Sequence, residues 1–368
     1  MVEQADRLLL RLHFPFCLHR CAYCTQQSQP HTDAALRSYG KAMLVEMAAA
    51  AEEGEGRTVA AVSLEGGCPG LMPAETLQEI LRGLKKYFSL AEDAQIGVQT
   101  MPGEYSQALM RKLRDNGVNF WTVGLQTAVL EEHLLLDRPY KFETLTMVDA
   151  ALKAFDPRVL SFELLYGIPG QTGSSLGKSL EKALAYEPDH ITLAPLRLLH
   201  GTRLYDRCRA GAVKPMEAKM AADLYEEAAE RLETLGYRQY TASGFARPGG
   251  EDRFRLGLLQ GADVLGLGYE AKSCLEGLCY SSGHNFNEYL AHSGELEIVA
   301  NQVTQLSGEG QALRLAVGRL EMLESVEGDS LGSALPKLLS EGAVEETANH
   351  QYRLTPLGVA SGALHRVG

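Results

Sequence analysis

No apolar run in this chain reaches the length of a membrane span. The opening segment, Met1-Val-Glu-Gln-Ala-Asp-Arg7, lacks the basic-then-apolar layout of a secretory signal. Together these absences lead us to expect a cytoplasmic protein with no membrane span. Positive charge is also in short supply. Lys and Arg number 35 against 47 Asp and Glu, a formal net charge of −12. Non-specific nucleic-acid binding runs on phosphate neutralisation, so this balance argues against a nucleic-acid partner while leaving room for a local basic pocket. Tryptophan occurs once, at Trp121. No low-complexity tract is visible. Cysteines number seven. An odd count without a secretory signal fits a reducing compartment and makes disulfides unexpected. What remains is an ordinary profile, 368 residues with 45% hydrophobic and 22% charged. That is enough for one large core and a small second domain.

Three of the cysteines are crowded into one short stretch, Cys17, Cys21 and Cys24. They form a C-x3-C-x2-C run straight after an apolar segment. Three thiolates on one loop can hold three irons of a cubane [4Fe–4S] cluster, which normally takes four cysteines. The fourth iron is then open to a small molecule, as a catalytic metal keeps one position free. An enzyme needs that vacancy to hold S-adenosylmethionine by its amino and carboxylate groups and cleave it to a 5′-deoxyadenosyl radical, chemistry that no side chain performs. Zinc is the alternative, with His13 or His19 as fourth ligand, but no second C-x2-C knuckle follows. Cys208, Cys274 and Cys279 read as buried or incidental thiols.

The chain alternates short apolar runs with amphipathic stretches. Strands are expected at Leu8–Phe14, Val59–Leu64, Ile96–Thr100, Asn119–Gly124, Val159–Leu165 and His190–Leu196. Helices are expected at Asp33–Glu53, Ala74–Phe88, Tyr105–Asn116, Lys141–Phe155 and Ser174–Ala185. This repeated βα unit predicts an α/β fold, a partial (β/α)6 TIM-like barrel whose active site lies at the carboxyl ends of its strands. Residues 1–245 form that core. Residues 246–368 read as a small, mainly helical C-terminal domain. There Asp263–Tyr269 is a lone strand-like segment and strands largely stop from about Asn287. Leu335–Thr355 reads as a helix, a turn and a hairpin, a winged-helix-like module packed on the barrel.

Several polar motifs fall at strand ends. Glu65-Gly-Gly-Cys-Pro-Gly70 follows the second strand, Gln99 closes the third, and Gly124-Leu-Gln126 closes the fourth, with Arg138 twelve residues on. Glu163 and Tyr166-Gly-Ile-Pro-Gly-Gln-Thr172 close the fifth. Taken with His13-Phe-Pro-Phe-Cys-x3-Cys-x-Tyr-Cys24, they resemble the oxygen-independent coproporphyrinogen III oxidase family of radical S-adenosylmethionine enzymes, which also contains a heme-chaperone branch. The likeness runs from about Leu8 to the C-terminus. It implies that Cys17, Cys21 and Cys24 ligate the cluster and that Tyr23 lies beside the adenine. Gly66 and Gly67 would contact the methionine part of the cofactor. Gln99, Gln126, Arg138 and Glu163 would line the ribose and carboxylate pocket, where the planar fork of Arg138 suits a carboxylate.

The resemblance further implies one or two molecules of S-adenosylmethionine, a reduced flavodoxin or ferredoxin as electron donor, and a small-molecule substrate, with a tetrapyrrole or heme first among candidates. Oxidative decarboxylation and radical methyl transfer are the two reactions in view. The alternative is a heme-trafficking protein that keeps the cluster and binds heme without turnover. Departures from the family pattern bear on this choice. Glu65 and Cys68 stand where the family has Gly and Thr, Gln99 where it has Glu, Glu163 where it has Asp, and Arg11 where it has Tyr. An acid at Glu65 is expected to narrow or recharge the pocket. Cys68 reads as inert, since nothing adjacent marks a lowered pKa. The chaperone branch's His-Asn-x-x-Tyr-Trp stretch has no counterpart before Leu265-Gly-Leu-Gly268, and His284-Asn285 reads as a coincidental match. The longer N-terminal arm of the true oxidases is not expected, because Cys17 lies so near Met1.

Overall fold

The structure is a computed structural model and describes residues 7–26, 28–29, 31–103, 106–141 and 158–367. Six strands build the barrel wall: β1 (Arg7–Phe14), β2 (Thr58–Gly66), β3 (Leu90–Thr100), β4 (Phe120–Gln126), β5 (Val159–Tyr166) and β6 (His190–Pro195). Each pairs in parallel with the next. Parallel strands covered on both faces read as near-continuous apolar runs. So it is here: Leu8, Leu9, Leu10, Leu12 and Phe14 of β1 are all buried. Helices Asp33–Ala49, Ala74–Tyr87, Gln107–Asp115 and Gly173–Leu184 lie between the strands. In Ala74–Tyr87 the residues Leu77, Ile80, Leu81 and Leu84 recur at helical spacing and are all buried. The expected helix Lys141–Phe155 lies outside the described residues, apart from Lys141. The fold is thus the expected partial (β/α)6 barrel.

An open sheet leaves two edges to be covered. Beyond β6 comes β8 (Gly244–Ala246), antiparallel, and outside it β7 (Arg238–Gln239). Beyond β1 comes the strand-like segment of the sequence reading, now β9 (Asp263–Leu267), parallel to Leu8–Leu12. β10 (Lys272–Leu275), β11 (Leu278–Ser282) and β12 (Ala300–Gln305) carry the same sheet outward, for twelve strands in all among the described residues. The sheet therefore continues past Asn287, against expectation. β12 was missed because its residues are half-buried or exposed and carry no apolar run. A second correction concerns Cys274 and Cys279, which form a disulfide. They are direct cross-strand partners in the β10–β11 hairpin, with Cα atoms 4.0 Å apart. That proximity comes from the hairpin register, which spacing alone did not reveal.

The winged-helix-like stretch is present as helix Leu335–Ser340 followed by a two-stranded hairpin, to which a strand from before the helix adds a third. Its strands run in the order β13 (Val326–Glu327), β15 (Gln351–Leu354), β14 (Val344–Glu346). It has its own small core around Leu320, Val326, Leu338, Val344 and Tyr352. Asn285 of the His284-Asn285 pair caps helix Phe286–His292 through the Glu288 N–H, a structural duty that accounts for an Asn there.

One buried polar network ties the later strands to β1. The Tyr39 hydroxyl donates to the His13 carbonyl at 2.5 Å and accepts from the Tyr269 N–H at 3.0 Å. His13 Nδ1 donates to the Tyr269 carbonyl at 2.7 Å. Beneath them Glu46 is 1% exposed and accepts from the Gly268 N–H at 2.6 Å and the Tyr289 hydroxyl at 2.8 Å. Burial pushes the Glu46 carboxyl up to about 7, against the pull of those two hydrogen bonds and one from Ser282. A raised carboxyl pKa means that the folded chain holds a proton that the unfolded chain has lost. Stability from this group is therefore full below the ordinary value near 4.5 and declines as pH rises to about 7. We predict a decline on the order of 3 kcal/mol across that window. It should be measurable as urea midpoints against pH and absent in Glu46→Gln. Parallel pH profiles of the two proteins would contradict it.

Candidate cofactor site

The cysteine loop begins where β1 ends. Phe16 is fully buried with its ring edge-on to Tyr39, 5.0 Å between centroids, which fixes the chain entering Cys17. The loop is then stitched by its backbone. Ala22 N–H donates to Leu136 O at 2.8 Å, and Ala22 O accepts from Leu204 N–H at 2.8 Å. Ser28 Oγ accepts from the Cys17 N–H at 3.0 Å. The end of β2 passes beneath. Gly67 N–H donates to Phe14 O at 2.7 Å and Cys68 N–H to Phe16 O at 2.6 Å. This approach requires glycine. Gly66 has φ +109°, and a Cβ on Gly67 would stand 2.3 Å from Phe16 O and 2.9 Å from Cys17 Sγ. Sequence reading assigned the two glycines to the methionine part of a cofactor. Their first duty is to let the cysteine loop rest on β2.

None of Cys17, Cys21 and Cys24 is disulfide-bonded. Burial pushes the Cys24 thiol up, although a backbone hydrogen bond at Gln26 opposes it, and Cys21 and Cys17 add to the rise. The opposite wall holds Arg138, 8% exposed. Its guanidinium donates to Gly124 O at 2.6 Å, the Tyr23 hydroxyl at 3.1 Å and Cys21 Sγ at 3.3 Å. Tyr23 is thereby held against the cysteine loop. Gln126 takes φ +65° at a register shift between β4 and β5. This turns its amide to donate to Glu163 Oε1 at 2.7 Å. Gln126 Oε1 and Arg138 Nε are buried without partners. Orphaned atoms of this kind call for a polar ligand.

All ten residues singled out from sequence line one cleft of about 150 Å³: Cys17, Cys21, Tyr23, Cys24, Gly66, Gly67, Gln99, Gln126, Arg138 and Glu163. A second cavity of about 480 Å³ adjoins it and shares Tyr23, Cys24, Gln99, Thr122 and Glu163. Among the described residues no three His, Cys, Asp or Glu side chains are arranged to hold one metal ion. A cluster spreads its cysteines over different irons and does not require such a convergence. The thiols, the backbone cradle and the orphaned polar atoms together fit a cluster with a polar ligand beside it.

Two corrections follow. Glu65 does not line the cleft. It pairs with Arg11 at 2.8 Å and accepts from Ser63 Oγ at 2.8 Å, so its charge is neutralised inside the barrel. Two of the five departures from the family pattern, Arg11 and Glu65, are thus halves of one ion pair. Sequence reading also missed a clamp on the loop's outer side. Asp137 takes the His19 imidazole at 2.9 Å and the Arg203 guanidinium at 2.5 Å, and Arg203 also reaches Arg20 O. No local signal announces a contact spanning 66 residues.

The loop-on-glycine contact generates a prediction. Gly67→Ala should leave the far-ultraviolet dichroism intact yet cut bound iron and sulfide severely after anaerobic reconstitution, because the new methyl group displaces Cys17. Normal iron content would show that the contact is dispensable.

The chain matches the radical SAM superfamily over residues 12–183. It is 30% identical over 264 residues to the heme chaperone HemW of Mycobacterium tuberculosis, covering 70% of this chain and 67% of that one. It is 25% identical over 317 residues to the mitochondrial radical S-adenosyl methionine domain-containing protein 1 of Danio rerio, covering 86% and 71%. Coproporphyrinogen III oxidase, HemN, from Escherichia coli shares the fold at TM-score 0.79 and 19% identity, with 99% of this chain and 90% of that one covered. The chain therefore belongs to the radical S-adenosylmethionine superfamily, in the HemN-like family that includes the HemW branch and whose members bind a [4Fe–4S] cluster and S-adenosylmethionine.

Proposed function

We propose that this protein cleaves S-adenosylmethionine reductively and directs the resulting radical at an organic molecule in the adjoining cavity. The observation that carries this is the single cleft lined by all ten sequence-selected residues and open to that cavity. When bound, the cluster supplies the electron that breaks a carbon–sulfur bond of the sulfonium and releases a 5′-deoxyadenosyl radical. In this reading Cys17, Cys21 and Cys24 hold the irons, and Arg138 steadies Cys21 while keeping Tyr23 beside the adenine. Gly66 and Gly67 leave backbone exposed to the methionine part. Gln126 and Glu163, already paired, take the ribose hydroxyls, and Gln99 faces both cavities. One molecule of S-adenosylmethionine is assigned to this cleft. A second would have to lie in the larger cavity. A reduced flavodoxin or ferredoxin is the electron donor, and the cytoplasm is the assigned compartment. Among the described residues no helix is long and apolar enough to cross a membrane.

A tetrapyrrole is the proposed substrate class, supported by the names of the relatives, a coproporphyrinogen oxidase and a heme chaperone. The wall of the larger cavity is polar and carries both signs of charge, with Arg197 and Arg255 beside Glu163, Asp252 and Glu321. Asp252 N–H donates to the Tyr240 hydroxyl, which also shares a hydrogen bond of 2.8 Å with His190 Nε2. His190 Nδ1 and Ser161 Oγ share a hydrogen bond of 2.8 Å. Burial pushes His190 down to about 3, so it stays neutral at working pH. Oxidative decarboxylation and radical methyl transfer both remain open to such a wall. A second reading, a heme carrier of the HemW kind, is favoured by the identity to that protein.

One experiment separates them. Anaerobically reconstituted protein, reduced by dithionite and given labelled S-adenosylmethionine, should release 5′-deoxyadenosine, and Cys21→Ser should fall to background. Additional S-adenosylhomocysteine would select methyl transfer. Stoichiometric hemin binding with no 5′-deoxyadenosine would select the carrier. A protein that stays colourless after reconstitution would defeat both.

A further inference from the structure

The outer side of the cysteine loop differs from the rest of this acidic molecule. Leu18, between the first two cysteines, is 56% exposed, and Leu134 on helix Leu130–Leu136 is 65% exposed. Leu130 lies one turn before Leu134 and is also exposed. The two leucines border a surface depression of about 280 Å³ with Asp137, Tyr140 and Lys141. Asp137 holds this ridge to the loop, because it binds both His19 and Arg203. Arg203 opens the short helix Arg203–Arg209, and Arg207 sits one turn on along the same face, exposed. Lys141 lines that depression and is exposed, and Arg20 is half-buried in the loop itself, where it also borders the cofactor cleft. Among the described residues close by, the acid Asp137 is paired with Arg203, which leaves Glu131 and Asp206. Among the described residues, cations therefore prevail locally in a chain of net charge −12.

We infer that this face is the docking surface for the electron donor, an acidic one-electron flavoprotein of flavodoxin type. The inference rests on the radical reading above and says where its electron enters. Leu18 and Leu134 supply the apolar centre of the contact, and Arg207 with its neighbours supplies the complementary rim. The loop reaches solvent here, so this is the short path to the cysteines. On the other side the cleft opens into the larger cavity, roofed by Leu354, Val359 and Leu364 of the C-terminal module. The transfer moves no atoms: the donor's reduced flavin is oxidised by one electron and the cluster is reduced by one. Steering by opposite charge makes association fast and salt-sensitive.

The test uses a bacterial flavodoxin and the double variants Leu18→Glu/Arg207→Glu and Leu134→Glu/Arg207→Glu. Calorimetric titration of the reconstituted protein with flavodoxin should show binding that weakens with salt, and the variants should bind about tenfold or more weakly. Flavodoxin-driven 5′-deoxyadenosine formation should fall in step, while dithionite-driven formation stays at the wild-type rate. Unchanged binding and unchanged flavodoxin-driven rate in both variants would overturn the assignment. So would self-association of the chain through this face, lost in the same variants. If Leu18→Glu disturbs the loop, dithionite-driven turnover falls too, and the second variant, which leaves the loop alone, decides. Absence of dithionite-driven cleavage in the wild type strikes the radical reading itself and not the docking face, whose binding titration stands separately.

Discussion

The contact on which the rest depends is backbone against backbone. Two amides at the end of β2, Gly67 and Cys68, reach up to the carbonyls of Phe14 and Phe16. Hydrogen bonds at this range need main chains to approach with no side chain between them, and the glycine pair provides that. The consequence is that the first cysteine is placed by the sheet and not by its own loop. A loop of eight residues with three thiols would otherwise sample many shapes, and ordering it costs conformational entropy. Here the barrel wall has met that cost before any iron arrives. The clamp of Asp137, His19 and Arg203 works on the outer side in the same sense, although its exposure makes it weaker.

The same economy explains why the chain after the barrel returns to the barrel's first strand. β9 pairs with β1, and the turn that follows it packs Gly268 and Tyr269 against His13 and Tyr39. A Cβ at Gly268 would stand 2.4 Å from the Tyr39 hydroxyl and 2.6 Å from His13 O. His13 lies four residues before Cys17, so a segment more than 250 residues away in sequence braces the loop's entry. The residues after β8 are thus as much part of the cofactor site's foundation as of a separate lobe. Only the three-stranded sheet and its helices keep a core to themselves.

Much of this was legible beforehand, and the pattern of what was not is instructive. The six barrel strands announced themselves because parallel strands buried on both faces leave long apolar runs, as in Leu8-Leu-Leu10 and Val159-Leu-Ser-Phe162. The ten site residues were legible from the cysteine spacing, from polar residues at the strands' carboxyl ends and, for Tyr23 and Arg138, from the family resemblance, and all ten line one cleft. What escaped was pairing between distant positions. Arg11 and Glu65 looked like two independent departures until β1 and β2 were placed in register, where they become a single ion pair. The disulfide of Cys274 and Cys279, the strand β12 and the Asp137 clamp escaped for the same reason. Each is defined by register or by tertiary approach, to which composition and periodicity are blind.

Gln126 shows where the fold yields to the site. A left-handed backbone at a side chain of this size costs roughly 1–3 kcal/mol and persists only where the surroundings over-determine it. It coincides with the register shift between β4 and β5 at Gly124 and Gln126. The twist serves to swing the Gln126 amide onto Glu163 while leaving its oxygen buried and unmet. Arg138 repeats the pattern from the other wall, spending two nitrogens on Gly124, Tyr23 and Cys21 and keeping Nε unpaired. Strain together with unsatisfied polar atoms at the same place is expensive for a folded chain alone. On the proposed reading it becomes reasonable, because a polar guest between β4, β5 and the thiols of the cysteine loop would restore the missing hydrogen bonds.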